Sequence, residues 1–221
     1  ITFRYALNLL AGHGLVYNPG ERVMGFTSPA WTLWIALGQS LVRDPVLWSR
    51  VTSLAADVIT LVFAGTLLAR AAGRGAALAF TYFFAVWPYF SAVAMSGMEV
   101  DAMLALIPLG AALAAAGHPA TGPVLAALAL MRPEGVVAAL VLGVAAKNRD
   151  RAIAAVLFGL GLAGLGAYYG TVVPQSVVAK SRIYGLAGPW AGRHWWEWLS
   201  PVVMGHWPRF GDTVQLGMLT L

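Results

Sequence analysis

Arg132 and Glu134 stand in an Arg132-Pro133-Glu134-Gly135 step between two apolar runs, residues 120–131 and 135–146. Burying both charges among apolar residues is costly unless they pair or line a polar cavity, so charge inside a membrane segment is by default a functional hypothesis. Two readings follow: a structural Arg132–Glu134 clamp, or a guanidinium kept for a phosphate, whose oxygens match its planar fork of donors. A second constellation, Ser96-Gly-Met-Glu99-Val-Asp101, puts two carboxylates at the mouth of two spans. At that spacing they point to different helix faces, so only one faces a common cavity. Arg50 and Asp57 share one face of an apolar helix and read as satisfying one another or neighbouring helices.

The first 31 residues are polar, aromatic and turn-rich. Arg4 and Asn8 share a face of a short helix that also carries Tyr5, which suits either a water-facing juxtamembrane helix or ligand contact. Asn18-Pro-Gly-Glu21-Arg22 is a turn signal, leaving Tyr17, Asn18 and Glu21 either solvated or free to hydrogen-bond a ligand. His13, alone between two glycines, is weak evidence for a base or a metal ligand.

Membrane helices must position these groups. The chain has 221 residues, 59% hydrophobic and 10% charged, against roughly 45–50% apolar and about 25% charged in soluble proteins. The expected fold is an all-α, polytopic transmembrane bundle with an extracytoplasmic juxtamembrane loop and a re-entrant or broken helix pair. The expected parts are residues 1–45 as extracytoplasmic loop and juxtamembrane helices, 46–173 as the transmembrane bundle, and 174–221 as a loop leading to a further span. Candidate spans are 46–69, 75–95, 100–116 and 152–173, with an interfacial helix over 29–42. The two runs flanking Arg132 are each too short to cross, covering about 18 Å at 1.5 Å per residue.

Arg70 to Arg74 and Lys147 to Arg151 are short basic loops, which places both in the cytoplasm. An even number of crossings must separate them. A break at Arg132-Pro133-Glu134 supplies it and puts residues 1–45, Glu99 and the segment after Pro174 outside. That last segment is net positive and holds Trp190, Trp195, Trp196 and Trp198, as in an interfacial aromatic belt. The net charge of +5 comes from bases scattered between apolar spans rather than in one stripe, which argues against nucleic acid. The absence of cysteine excludes a disulfide framework and cysteine-ligated metal.

The segments Ile1-Thr-Phe-Arg-Tyr-Ala and Gly12 to Trp31 resemble the first extracytoplasmic loop of bacterial GT-C membrane glycosyltransferases. That group holds aminoarabinose, protein mannosyl and mycobacterial terminal arabinofuranosyl transferases. Shorter matches fall at Gly97-Met-Glu99, Arg132 to Gly135 and Pro174 to Tyr184. The resemblance implies transfer of a sugar from a polyprenyl-phosphate donor to an extracytoplasmic glycan, lipid or protein acceptor, in the bacterial inner membrane. It also implies catalytic acidic residues just before the position of Ile1, so the chain reads as an internal piece. On this reading Tyr17, Asn18 and Glu21 hydrogen-bond the sugar, Arg4, Tyr5 and Glu99 line the substrate site, Glu134 orients Arg132, and Arg132 binds the donor phosphate. Lys180 is a second phosphate candidate, with Tyr184 beside it. Asp101 stands where relatives carry an uncharged residue. No metal-binding set is assigned and no cofactor is implied, with a divalent cation left open. The alternative function is a lipid-linked-sugar flippase or secondary transporter, which would also use broken helices and intramembrane charge.

Overall fold

The computed structural model describes the backbone of residues 1–184 and the side chains of residues 1–179. The helices are α1 (Thr2–Leu10), α2 (Pro29–Val42), α3 (Pro45–Val86), α4 (Pro88–Ser96), α5 (Val100–Ala116), α6 (Thr121–Met131), α7 (Pro133–Gly143), α8 (Asn148–Tyr169) and α9 (Gln175–Tyr184). No strand occurs among the described residues. Residues 1–176 form one compact unit. Helices α3 and α8 are long and apolar enough to cross a membrane, and α4 with α5 makes a third such element as a bent pair. The chain is an all-α membrane protein.

Proline punctuates the fold. Pro29, Pro45, Pro88 and Pro133 each lie in the first turn of a helix, where the missing N–H is harmless and the fixed φ suits a helix. Asp44 caps α3, accepting from the N–H groups of Val46 at 2.9 Å and Leu47 at 3.0 Å. The expected helices over 29–42 and 100–116 coincide with α2 and α5.

The basic turn at 70–74 is a break inside α3 at Gly73, whose φ of 88° and ψ of 168° are open almost only to glycine. The expected straight span over 75–95 is corrected: it is split at Trp87, and α4 begins at Pro88. Proline offers no N–H to the carbonyl four residues back, and its ring clashes with that carbonyl. Helix α4 then meets α5 at a bend of 111°. The span expected over 152–173 starts earlier, at Asn148, and ends at Tyr169.

Arg132 separates α6 from α7, and α7 turns back along α6. A Cβ at Gly135 would run into the Leu128 carbonyl oxygen, so the backbones touch at the turn. Further on, Leu142 packs with Ala114, Leu125 and Ala146. Helices α5, α6 and α7 therefore shuttle between two ends of the bundle. One end holds the α4–α5 bend and the α6–α7 break. The other holds the Lys147 ammonium, which donates to the Gly117 carbonyl at 3.1 Å, and the Arg149–Asp150 pair at 3.2 Å. Helix α8 returns to the first end, where the Tyr169 hydroxyl donates to the Leu15 carbonyl.

Candidate functional site

At the first end the 1–31 segment is folded onto the bundle by its own polar groups. Tyr5 is buried; its hydroxyl donates to the Val23 carbonyl at 2.6 Å and accepts from the Gly25 N–H at 2.8 Å. Burial pushes the Tyr5 phenol above its ordinary range, which keeps that hydroxyl intact as a donor. The Asn8 amide donates to the Val16 and Tyr17 carbonyls, both at 2.8 Å. Arg4 is exposed: its Nε donates to the Tyr17 carbonyl at 3.2 Å, and its guanidinium lies 5.7 Å from the Tyr17 ring centre. So Arg4 faces out and Asn8 faces in, because the last turn of α1 is covered by the loop that follows it. Asn18 donates to Glu21 at 3.0 Å, and both are exposed with Tyr17. His13 is exposed on the same loop.

The underside of α1 carries Ala6 into a core with Trp31, Ile35, Ala36 and Met131. Trp31 donates from its indole N–H to the Gly97 carbonyl at 3.3 Å. Gly97 turns the chain with φ of 73°, and a Cβ there would stand 3.0 Å from Phe3 and 3.1 Å from the Ser49 hydroxyl. Helices α1, α2 and α3 thus converge on the α4–α5 bend. Only glycine tolerates both the positive φ and that crowding.

Beside this junction Arg132 bridges two carboxylates. Its Nη1 donates to Glu99 at 2.9 Å and its Nε to Glu134 at 3.3 Å, with Nη2 a longer 3.5 Å from the second Glu134 oxygen. The Arg132 side chain is 25% exposed, Glu99 10% and Glu134 64%, so the arginine stands at a mouth, anchored inward by Glu99. A guanidinium has five donors. Three are engaged here, leaving two for a further acceptor.

The structure brings Glu99, Arg132 and Glu134 into one cluster, and Arg4, Tyr5, Tyr17, Asn18 and Glu21 into the neighbouring loop. Lys180 and Tyr184 lie on α9, with side chains outside the described residues, as are Trp190, Trp195, Trp196 and Trp198. Asp101 faces the other way, toward α3. Of the two readings of Arg50 and Asp57, mutual satisfaction is corrected: Arg50 is exposed and no ion pair joins the two, while Asp57 lies near Asp101 of the neighbouring α5. Sequence reasoning passed over Ser49 and Ser53, both fully buried on α3. Their four-residue spacing in an apolar helix is the signal that could have found them.

The chain is 31% identical to the terminal beta-(1->2)-arabinofuranosyltransferase of Mycobacterium tuberculosis, over 81% of this chain and 34% of that protein. The relative is a glycosyltransferase. The chain spans about a third of its length, as the 34% coverage states. No family model matches the chain, and no solved structure does.

Proposed function

We propose that this chain is part of a membrane glycosyltransferase that takes its sugar from a polyprenyl-phosphate donor and transfers it to an acceptor outside the cytoplasm. The observation that carries the reading is Arg132: a partly exposed guanidinium at the mouth of a helix break, held by two carboxylates with donors to spare. A phosphate leaving from carbon 1 needs positive, hydrogen-bonding stabilisation as its charge develops. Two further features support the reading. The similarity to an arabinofuranosyltransferase supports the transfer of a sugar. An apolar cavity of about 370 Å³ between Leu9, Ala30, Leu33, Leu130, Leu160 and Gly161 suits a lipid-borne donor. Glu99 and Glu134 set the rotamer of Arg132, and the exposed Tyr17, Asn18 and Glu21 are placed to hydrogen-bond hydroxyls of sugar or acceptor.

The test is made in the complete gene product with a polyprenyl-phosphate sugar. Charge-assisted hydrogen bonds contribute about 1.5–3 kcal/mol each. Arg132→Lys, which keeps the charge and loses the fork, is therefore expected to weaken donor use, and Arg132→Ala to nearly abolish transfer. A purely structural clamp predicts lower yield and thermal stability with normal donor binding by the surviving protein, and that outcome sinks the phosphate role. Lipid translocation without transfer would favour a flippase instead. Orientation is tested separately. A cysteine in place of Arg149 should resist an impermeant thiol reagent added outside cells, whereas Glu21→Cys should react; equal labelling would reverse the orientation.

A further inference from the structure

Helices α7 and α8 both pack on α6 and scarcely on one another, which leaves a groove of about 470 Å³ between them. It shares no residue with the cavity beside Leu9 and Leu33. On α8 it is lined by Arg151, Ala154, Ala155 and Phe158, a spacing that puts all four on one helix face. On α7 it is lined by Leu140 and Val144, both exposed. Arg151 is the one charged residue of the lining. It stands at an end of the α8 face, about 10 Å from Phe158 at 1.5 Å per residue. Its Cγ lies 4.0 Å from where a Cβ on Gly143 would stand, so the aliphatic stem crosses toward α7. Such a stem covers apolar surface while the charged head stays at the rim.

The charges beside Arg151 are already committed. Lys147 donates to the Gly117 carbonyl at 3.1 Å, and Arg149 pairs with the buried Asp150 at 3.2 Å. Arg151 joins no ion pair among the described residues and donates only to the side-chain oxygen of Asn148. A guanidinium has five donors, so most of this fork is open to an anion. An apolar stripe that ends in one unpaired cation is complementary to an amphiphile with an apolar tail and an anionic head. We propose that the groove binds one anionic diacyl phospholipid, with an acyl chain between α7 and α8 and the headgroup phosphate on Arg151. The planar fork matches two phosphate oxygens. Net charge selects the lipid class: Lys147, Arg149 and Arg151 stand against Asp150 alone, which favours an anionic headgroup over one that carries its own cation. The small side chains of Ala154 and Ala155 leave the α8 wall open to a chain. The inference is independent of the transferase reading, because Arg132 lies at the opposite end of the α6–α7 hairpin.

The test uses the complete gene product in detergent, stripped of lipid and titrated with dioleoylphosphatidylglycerol, with dioleoylphosphatidylcholine and with inorganic phosphate. Native mass spectrometry counts the lipid retained, and the melting midpoint is followed alongside. Phosphatidylglycerol should be retained and raise the midpoint, with phosphatidylcholine weaker and phosphate alone without effect. Arg151→Ala should cost one retained phosphatidylglycerol, weakening it by about tenfold or more as a charge-assisted bond is lost. Arg151→Lys should recover part of that binding. Ala155→Phe fills the groove with the charge intact and should also release the lipid, which keeps the test readable if Arg151→Ala fails to fold. Arg74→Ala removes an exposed base on α3 and should bind like the parent. Equal retention of phosphatidylcholine overturns the proposal, as does binding that survives both Arg151→Ala and Ala155→Phe or falls equally in Arg74→Ala. Displacement by inorganic phosphate would leave an anion site without a chain, and tighter binding of a polyprenyl phosphate would give the groove to a donor; either overturns it. So does a dimer that Ala155→Phe dissociates, since a second copy would then fill the groove.

Discussion

Glu99 and Asp101, two residues apart at the start of α5, have opposite surroundings. Glu99 meets a guanidinium at 2.9 Å at a mouth that water can enter. Asp101 is fully buried, with the Ser53 hydroxyl against it and Asp57 nearby. The same side-chain chemistry is therefore met by an opposite charge in one place and not in the other, on one helix and within a turn. The contrast teaches that burial alone does not make a carboxylate's role. What it faces does: Glu99 faces a fixed cation and holds an arginine with donors to offer, whereas Asp101 faces a serine hydroxyl and a second acid.

The comparison can be broken by changing each carboxylate in turn. The largest effect is expected from Glu99→Ala, which strips Arg132 of its inner anchor and leaves a partly buried guanidinium held only by Glu134. A lost charge-assisted bond of this kind contributes about 1.5–3 kcal/mol, so the melting midpoint should fall and donor transfer with it. If Glu99→Ala melts like the parent, the pair at the mouth is not structural.

Asp101→Asn should act in the opposite direction. Exchanging a fully buried carboxylate near a second acid for an amide relieves repulsion and desolvation, so the variant should melt at or above the parent, by an amount on the order of 1 kcal/mol. A lower midpoint would mean that Asp101 has a stabilising partner in solution and would erase the contrast with Glu99.

Glu134→Ala sharpens the comparison at its weak end. Glu134 is 64% exposed, and its contacts with Arg132 are the longer ones. Exposed ion pairs contribute about 0–1 kcal/mol, so the midpoint should barely move, while donor affinity falls if Glu134 orients the guanidinium. Loss of stability as large as that of Glu99→Ala would instead make Glu134 the main anchor.

Much of the architecture was legible from local chemistry. Prolines 29, 45, 88 and 133 mark where helices begin, and the Arg132 break between two short apolar runs is read directly from composition. The kink at Pro88 was there to be read as well, but a continuous apolar run outweighed it. The candidate site was legible in its residue types and not in its pairing. Arg132 could be matched with Glu134 because they are neighbours, whereas its closest contact is Glu99, 33 residues earlier. Likewise Tyr5 and Asn8 could be placed on a helix, but not seen to close the loop that follows it.

The sequence by itself determined the membrane class, the helix boundaries set by proline and glycine, and which charges lie in apolar surroundings. Those properties act within a turn or two of the chain, through backbone geometry and the free energy of moving groups out of water. Only the tertiary structure decided that the α6–α7 turn meets the α4–α5 bend, and that Asp57 lies near Asp101 rather than pairing with Arg50. Such choices depend on which helix faces pack together. A helix rotated by one residue swings its side chains by about 100°, since 3.6 residues make a turn, and the pattern of a single apolar helix leaves that rotation undetermined until its neighbours are in place.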